Sequence, residues 1–519
     1  MKKVLLILGG ILAVLILLMV IWGGIHMRDR HPGYQVDLSI PPPPETGPLR
    51  MGFAKVPITP DIRDTWTDAN HNAQYEPEEG DSYHDTNGNG RFDAIWMAGF
   101  QNRRPAQGVH DDLWARAMVL DDGVTKIGMV VLDVIGFGHD DVVTARQNVA
   151  ESVDLDYLMI CSTHDHEGPD LIGLWGESYL KSGVNDDYLE FVRRQIARAV
   201  REANARLRPA MLRFARDLTG AESLVTDSRR PYVTDPGLRL MQAVDAGADT
   251  TLGVLVAWAN HPETLWSRNL LITSDFPHYV RRGIERGVPT AGDSLPGLGG
   301  VALYVNGAIG GLMTTDPDFA IRDPARDTSF SAPSFDKARA QGEQLARLAL
   351  RALRSNGADE IRTGRIALRA HTVTFPVRNS TFRLGAFLGV LDRGFVRWSS
   401  LRSEVAGWTL GPASFSAIPG EIYPEIVNGG IETPAGQDYD IDPVEQPPIR
   451  QFMPGKYRFV FGLTNDEIGY IIPKSEWDEE PPYLYGRDDS PYGEGMSLGP
   501  ETAPRLHAAL RHLWDQLGD

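Results

Sequence analysis

Short apolar runs of strand character alternate along this chain with longer segments of helical periodicity, and this alternation limits the folds it can adopt. The strand-like runs are residues 126–132, 157–161, 211–214, 252–258, 301–305, 366–375 and 457–462, and the helix-like segments are 186–207, 335–355 and 501–517. Such alternation predicts α/β layers, and long irregular connections in the middle third favour a mixed sheet. We therefore expect an α/β fold with a mixed β-sheet core and flanking helices in a single large domain.

The chain starts with an apolar segment that stands apart from this pattern. Residues 4–25 carry no charge and follow Lys2 and Lys3. As a helix they would extend about 33 Å at ~1.5 Å per residue, enough to cross the hydrocarbon core of a bilayer. The run lacks a small-x-small cleavage site, which favours a transmembrane anchor over residues 1–27, with a removable signal peptide as the alternative. The two lysines favour a cytoplasmic N-terminus and therefore a periplasmic or extracellular location for the remainder.

Composition narrows the set of partners. Residues 28–48 contain Pro41-Pro-Pro-Pro44 and are expected to form a stiff linker that holds a domain over residues 49–519 off the membrane. The single cysteine, Cys161, excludes an intrachain disulfide. The net charge of −18 argues against nucleic acid as a partner.

An acidic insertion at about residues 61–97 has the side-chain spacing of calcium loops. Oxygen-bearing side chains recur at alternate positions, as calcium ligands do, in two places. They are Asp68, Asn70, Asn72, Glu76 and Glu79 in the first loop and Asp85, Asn87, Asn89 and Asp93 in the second. The first loop has alanine at the sixth position, where glycine is usual, and the second has Trp96 in place of the last glutamate. We expect structural Ca²⁺ here, and a solvated acidic loop is the alternative.

Two histidines leave one apolar strand at a Gly-Pro turn. The stretch reads Cys161-Ser-Thr-His164-Asp-His166-Glu-Gly-Pro169 and ends the run 157–161. Imidazole is the commonest metal ligand, and two imidazoles one residue apart can reach one cleft, one as ligand and one as acid or base. A polar turn whose histidines bond to the backbone is the alternative.

Three further turns after strand-like runs carry potential ligands. His261 follows the run 252–258, Glu421 lies on a Pro-Gly turn after residues 414–418, and Asn465-Asp-Glu467-Ile-Gly-Tyr470 follows the run 457–462. Functional side chains collect at strand ends where a scaffold presents a cleft. We expect these turns to face one cleft together with the histidine pair.

The order of these motifs resembles that of the neutral/alkaline non-lysosomal ceramidase family, and the chain is similar to a divergent member with the N-terminal catalytic type of domain. The resemblance covers roughly residues 50–519. The matching motifs are Gly108-Val-His110-Asp111, Leu132-Asp133, Ser162-Thr-His164-Asp-His166-Glu-Gly-Pro169, Asn260-His261-Pro, Ile272-Thr-Ser274-Asp275, Ile418-Pro-Gly-Glu421 and Asn465-Asp-Glu-Ile-Gly-Tyr470.

This resemblance implies a zinc amidase that cleaves the N-acyl bond of a sphingolipid such as ceramide. It implies that His164 and His261 are zinc ligands, Glu421 is a carboxylate ligand and His166 is a catalytic neighbour. The segment Ser228-Arg229-Arg230-Pro231 is similar to a family segment, so Arg229 is expected to hold an oxyanion or a headgroup.

The chain departs from the family pattern at two positions. Glu467 stands where the family has a metal-binding tyrosine, and because a carboxylate is a good zinc ligand we expect Glu467 on the metal. We expect Tyr470 either to orient the ligands from behind or to donate to the transition state. In Asn306-Gly-Ala-Ile-Gly310-Gly311, Gly310 replaces a serine that the family pattern implicates in activity.

The expected function is a membrane-tethered zinc hydrolase that acts on an N-acyl amide, either ceramide-like or another lipid amide. Zinc held by two histidines and two glutamates keeps an open position for water and polarises a carbonyl, with His166, Arg229 and Tyr470 available for proton transfer and charge stabilisation. Two alternatives stay open. One is a catalytically inactive, calcium-stabilised binding module of the same fold, and the other is a zinc esterase.

Overall fold

The computed structural model describes residues 2–45 and 47–518. Its helices are α1 (Lys2–His26), α2 (His139–Ala150), α3 (Asp186–Ala205), α4 (Asp275–Arg286), α5 (Phe335–Arg354), α6 (Ser380–Leu388), α7 (Pro424–Asn428), α8 (Ile449–Phe452), α9 (Tyr492–Gly495) and α10 (Thr502–Gly518). Polar side chains cap the N-termini of several of them: Asn185, Ser334 and Asn379 accept backbone N–H groups of α3, α5 and α6.

Fourteen labelled strands build the two large sheets. In chain order they are β1 (Asp37–Ile40), β2 (Arg50–Pro57), β3 (Trp114–Asp121), β4 (Lys126–Leu132), β5 (Tyr157–Ser162), β6 (Arg208–Asp217), β7 (Leu238–Asp245), β8 (Thr251–Trp258), β9 (Val301–Asn306), β10 (Asp359–Ile361), β11 (Ile366–Pro376), β12 (Ser400–Leu410), β13 (Ala413–Ala417) and β14 (Tyr457–Phe461).

Short two-stranded ribbons connect these elements. Their pairs are Gly47–Pro48 with Thr363–Gly364, Thr65–Thr67 with Ser82–His84, Gly108–Val109 with Leu271–Ile272, Thr226–Asp227 with Met313–Thr314, Gly287–Thr290 with Asp293–Pro296, Ile321–Arg322 with Ser329–Phe330, and Glu421–Ile422 with Tyr470–Ile471.

Both large sheets are mixed, as the sequence predicted. The nine-stranded sheet has the order β9-β8-β7-β6-β2-β3-β4-β5, with β10 paired to β6, and the five-stranded sheet has the order β1-β11-β12-β13-β14. The pairs β8/β9, β4/β5 and β13/β14 are parallel, whereas the other pairs in these sheets are antiparallel.

The two sheets pack face to face and helices cover their outer faces. Between the sheets, Met51, Phe214 and Leu255 of the larger sheet meet Trp408 and Phe415 of the smaller one. Helices α2 and α3 cover one half of the larger sheet, α4 and α5 cover the other half, and α10 packs on the smaller sheet. The result is a four-layer α/β/β/α arrangement in one large domain, which confirms the predicted fold class.

The N-terminal segment departs from the expected spacer. Helix α1 is long and apolar enough to cross a membrane, and its side chains from Lys3 to Trp22 are exposed. Strand β1, which lies within the expected linker 28–48, pairs with β11 of the smaller sheet, because its backbone N–H and C=O groups complete that edge. The interpretation of residues 28–48 as a spacer that holds the domain off the membrane is therefore wrong for this part of the segment.

The two acidic loops share one backbone conformation. In each, the first aspartate accepts backbone N–H groups near the sixth position: Asp68 from Ala73 at 2.9 Å and Asp85 from Gly90 at 2.7 Å. Both sixth residues are left-handed, with φ of 62° for Ala73 and 74° for Gly90. Alanine at this position therefore retains the turn that glycine favours, at a small conformational cost.

Candidate metal centre

Four strand ends meet where the two sheets face each other. The turns after β5 and β8 belong to the larger sheet, and those after β13 and β14 belong to the smaller sheet. Backbone hydrogen bonds join the turns in pairs: Ser162 N–H donates to Leu463 O at 3.0 Å, His166 N–H donates to Pro262 O at 3.1 Å, and Thr464 N–H donates to Ile418 O at 2.9 Å. The side chain of Asn465 adds a bond, because its Oδ1 accepts from Ile160 N–H at 3.0 Å. The turns predicted to share one cleft therefore come together.

Three buried imidazoles form the centre of this site. His164, His166 and His261 each offer a ring nitrogen, and these three atoms lie within 4.8 Å of one another. The ring centroids of His164 are 4.9 Å from those of both other histidines. Three imidazoles at this spacing can contact one ion. The geometry therefore allows His166 as a third ligand beside its expected role as a catalytic neighbour.

Backbone carbonyls fix which nitrogen two of these histidines present. His164 Nδ1 donates to Ile135 O and His261 Nδ1 donates to Met313 O, both at 2.7 Å, because a carbonyl oxygen can only accept. Each ring therefore presents Nε2 to the site, in the tautomer that metal-binding histidines adopt. Burial lowers the pKa of His164 to about 4, which keeps it neutral and able to donate a lone pair.

Glu421 lies between the two preorganised imidazoles. Its Oε2 is 3.1 Å from His261 Nε2 and 3.5 Å from His164 Nε2. Burial opposes the ionisation of Glu421, but its contacts with His164 and His261 hold its pKa below the usual value. The hydroxyl of Tyr470 is 3.5 Å from His261 Nε2 on the same side.

Glu467 reaches the same cavity with one oxygen unused. Its Oε1 accepts from Gly469 N–H at 2.7 Å, whereas its buried Oε2 has no hydrogen-bond partner among the described residues. Burial and the charge of Glu421 raise the pKa of Glu467 well above its usual value. A buried carboxylate oxygen without a partner is costly, and a cation would satisfy it. Two Nε2 atoms and two carboxylates fit the ligand preferences of zinc.

A further carboxylate, which the strand-end pattern does not predict, lines this site. Glu263 is buried and lies with its Oε2 3.2 Å from His166 Nδ1, and its other oxygen accepts from the Thr314 hydroxyl. Glu263 comes two residues after His261 in the Asn-His-Pro-Glu turn, and this closeness to a candidate ligand is the only sequence feature that points to it. Neither nitrogen of His166 makes a hydrogen bond of good geometry to a described residue.

Arg229 does not lie where the sequence resemblance placed it. Its guanidinium forms a buried two-point pair with Glu494, at 2.5 and 2.8 Å, and donates to Glu476 O at 3.1 Å. It is absent from the described residues that line the cavity, although the neighbouring Ser228 does line it. The two terminal nitrogens of Arg229 are bound to Glu494 and Glu476, so the guanidinium is not directed into the cavity.

The centre opens into a cavity with largely apolar walls. Its volume is about 400 Å³, and the three histidines, Glu263, Glu421, Glu467 and Tyr470 line it. The apolar part of the wall includes Phe100, Leu171, Trp266, Phe382, Leu391 and Leu498. Cavities of this size with few convergent polar groups are typical of sites for small or extended apolar ligands.

Comparison with known proteins identifies the fold. No protein-family model matches the chain, and no curated protein matches it in sequence. Neutral ceramidase from Pseudomonas aeruginosa superposes with a TM-score of 0.62 at 16% identity, over 91% of this chain and 75% of that one. A structure of ceramidase complexed with C2 superposes with a TM-score of 0.63 at 15% identity and the same coverage. The chain has the neutral ceramidase fold. The resemblance seen in the order of the motifs is therefore confirmed at the level of the fold.

In this chain there is no room for a side chain at Gly310, the position where the sequence resemblance expects a serine. A Cβ atom on Gly310 would lie 2.2 Å from Tyr423 Cδ1 and 2.7 Å from Glu421 O. The backbone N–H of Gly310 also donates to Ile422 O at 2.9 Å, which holds the turn against the Glu421 strand. A side chain does not fit at residue 310 in this packing, so the chain differs from the family pattern in shape as well as in chemistry.

Proposed function

We propose that this protein is a membrane-tethered, zinc-dependent hydrolase that cleaves the N-acyl amide bond of a lipid, either ceramide-like or another lipid amide. The observation that carries the proposal is the pair of buried, tautomer-fixed histidines with Glu421 between them at the end of an apolar cavity. The ceramidase fold of the chain supports the same reaction class. In this proposal the domain lies in the periplasm or outside the cell.

Four side chains would hold the metal: His164, His261, Glu421 and Glu467. When bound there, zinc would polarise the acyl carbonyl and lower the pKa of water towards about 7. The carbonyls of Ile135 and Met313 keep both imidazoles aimed at the site before any ion arrives, which reduces the cost of ordering them.

His166 and Glu263 form the proton-handling part of the site. Glu263 faces Nδ1 of His166 at 3.2 Å, and Nε2 has no partner among the described residues, so Nε2 would take a proton and return it to the departing nitrogen. Burial lowers the pKa of His166 well below its usual value, so its neutral form is available as a base. Glu263 touches His166 and not the reacting atoms, and we assign it as a positioning residue.

Tyr470 supplies a hydrogen-bond donor that stays protonated. Burial and the charge of Glu421 raise the pKa of its phenol well above the usual value. A neutral hydroxyl beside the ligand group can donate to the oxyanion that forms on the carbonyl during attack. The apolar wall of the cavity would hold the acyl chain while the amide lies near the histidines.

Metal content tests this proposal directly. Wild type, His164→Ala and Glu421→Ala are purified and their zinc is measured, with His371→Ala on strand β11 as a matched control outside the site. We expect about one zinc per chain in wild type and the control, and a loss of roughly ten-fold or more in affinity in both site variants. Absence of zinc from wild type, or zinc retained in both site variants, would refute the metal assignment.

Two other readings use the same fold. The glycine at residue 310 favours a catalytically inactive, calcium-stabilised binding module, because Tyr423 and the Glu421 backbone occupy the space that a serine side chain would need. A zinc esterase would use the site unchanged on a different acyl bond. Turnover of matched N-acyl and O-acyl lipids by the zinc-loaded protein separates the three: amide cleavage supports the main proposal, ester cleavage alone supports the esterase, and no turnover supports the binding module.

A further inference from the structure

The membrane helix ends inside the folded domain. Met27, directly after α1, is buried in the same cluster as Phe382, Leu391 and Phe395, and Phe395 N–H donates to Met27 O at 3.1 Å. Gly23 packs so closely on Phe387 of α6 that a Cβ there would lie 2.1 Å from its ring. The last turn of the helix therefore rests on α6 and the loop 389–398, with no flexible segment between the apolar helix and the domain.

The surface around this junction has the composition of a membrane interface. Leu384 and Trp398 are 56% and 52% exposed, and Arg383 and Arg397 are exposed beside them. Trp22 is exposed on α1 itself, four residues before its last residue. Tryptophan and arginine are enriched where protein leaves the hydrocarbon layer, and arginine attracts anionic headgroups. In a chain of net charge −18, a local pair of arginines beside exposed apolar groups departs from the average surface.

The same elements form one wall of the cavity. Phe382 and Leu391 line the cavity and also contact the cluster that buries Met27, so about one layer of side chains separates the cavity from the end of the anchor. Tyr492 lines the cavity and is 56% exposed, which places it at the rim. This rim is joined to α6, because the N-cap residue Asn379 donates to Gly495 O at 2.8 Å and to Ser497 O at 3.0 Å.

We propose that the face formed by α6 and the loop 389–398 rests in the headgroup layer of the bilayer, and that the cavity opens towards this layer. A lipid then enters sideways from the leaflet, with its acyl chain along the apolar wall and its amide at the histidines. The helix anchor fixes the height of this face, and the exposed Leu384 and Trp398 insert beside it. This inference rests on the anchored lipid hydrolase proposed above, but the docking itself does not depend on turnover.

Depth-sensitive quenching tests the docking. Leu384→Cys is labelled with a solvent-sensitive dye in the full chain, which is reconstituted in nanodiscs of phosphatidylcholine and phosphatidylglycerol that contain phosphatidylcholine with a nitroxide near the headgroup. The native Cys161 is buried and escapes labelling. Val124→Cys is the matched control: Val124 is 70% exposed in the turn where Asp122 accepts from Ile366 N–H, and β11 separates that turn from α6 by on the order of 30 Å.

We expect the nitroxide lipid to reduce the emission at residue 384 by roughly two-fold or more, as for a group within ~10 Å of the headgroup boundary, and to leave residue 124 unchanged. Arg383→Cys reports the same face if Leu384→Cys does not fold. Equal quenching at residues 384 and 124, or failure of the full chain to enter nanodiscs, would overturn the docking. Quenching at residue 384 without lipid turnover would support the docking and count against the proposed function, and turnover in detergent without quenching would do the reverse.

Discussion

Gly310 lies at a position where the packing leaves no room for a side chain. The family resemblance expects a serine there, but the space that its side chain needs is occupied by Tyr423 and by the backbone of Glu421. A substitution by serine therefore requires movement of the strand that carries a proposed metal ligand. The position of that ligand and the absence of a side chain at residue 310 are coupled by packing.

We expect Gly310→Ala to destabilise the protein by about 1–3 kcal/mol or more, because overpacking forces backbone shifts. Gly307→Ala, in the same turn, is the matched control, because the nearest atom to its Cβ would be Ala259 Cβ at 3.2 Å, compared with 2.2 Å to Tyr423 at residue 310. Denaturant unfolding of the two variants measures the difference. If both variants have the stability of wild type, the packing at residue 310 is looser than the structure indicates.

Among single residues, the sequence points to candidate ligands most readily where a polar side chain follows an apolar strand. His164, His261, Glu421 and Glu467 all do so, and all four line one cavity, while their role as metal ligands stays a proposal. The contacts of Glu263 and Arg229 depend on side-chain direction, which spacing does not encode. Glu263 turns towards His166, whereas Arg229 turns away towards Glu494, whose distance of 265 residues along the chain hides the pair from sequence patterns.

At the level of elements, helix α7 and the turn Lys474–Glu476 bring two carboxyl groups together in the interior. Burial raises the pKa of Glu425 well above its usual value and the charge of Glu476 raises it further. Burial also raises the pKa of Glu476 to about 7. Because the folded pKa of Glu476 exceeds the unfolded one of about 4.3, the native state binds the extra proton between these pH values.

The titration of Glu476 should therefore lower the free energy of unfolding by up to ~1.4 kcal/mol per pH unit as the pH rises from about 5 to 7. The stabilisation that comes from its bound proton is fully present only below about pH 4. Glu425→Gln should flatten this slope, since it removes the second buried carboxyl, whose own pKa is raised, and keeps a hydrogen-bond donor to Glu476. Glu480→Gln, an exposed carboxyl on the following segment, should leave it unchanged. Urea unfolding at several pH values measures the slopes, and identical slopes in all three proteins would contradict the assignment.

The acidic loops invite a second prediction about elements. The carboxylate oxygens of Asp68 and Asp85 accept hydrogen bonds from backbone N–H groups near the sixth residue of each loop, whose backbone is left-handed. This loop conformation is compatible with Ca²⁺ binding. We expect millimolar Ca²⁺ to raise the unfolding temperature by a few degrees, since a bound ion stabilises the folded state. Asp68→Ala combined with Asp85→Ala should abolish the shift, and Asp61→Ala, outside both loops, should retain it. Calorimetric scans with Ca²⁺ and with EDTA measure this shift. An unchanged unfolding temperature in wild type would support the alternative, a solvated acidic loop that binds no Ca²⁺.

For the whole molecule, the sequence predicted the layers but not their junctions. The runs 126–132 and 301–305 and the segment 186–207 correspond closely to β4, β9 and α3 because each has a clear period. Strand β1 was assigned to a linker, since four residues at an edge carry too little pattern to be recognised. Its pairing with β11 joins residues far apart along the chain, and only the folded sheet reveals that the domain begins soon after the apolar helix α1.

This junction bears on whether the N-terminal segment is retained. The residues after α1 belong to the domain: Met27 is buried, Asp29 pairs with Arg402, and Arg30 pairs with Asp392. Loss of residues 1–27 would empty the buried position of Met27 and uncover the ring of Phe387, on which Gly23 packs. We therefore expect intact mass spectrometry of protein extracted from membranes to give the mass of the whole chain, 57.3 kDa, and alkaline washing to leave the protein in the membrane fraction.

Replacing Met27 by Asp should loosen the junction and increase cleavage by added protease near residue 27, whereas Val124→Asp at an exposed turn should not. A mass lacking about 27 residues would instead identify the segment as a signal peptide, and the domain would then have to reach its lipid without an anchor.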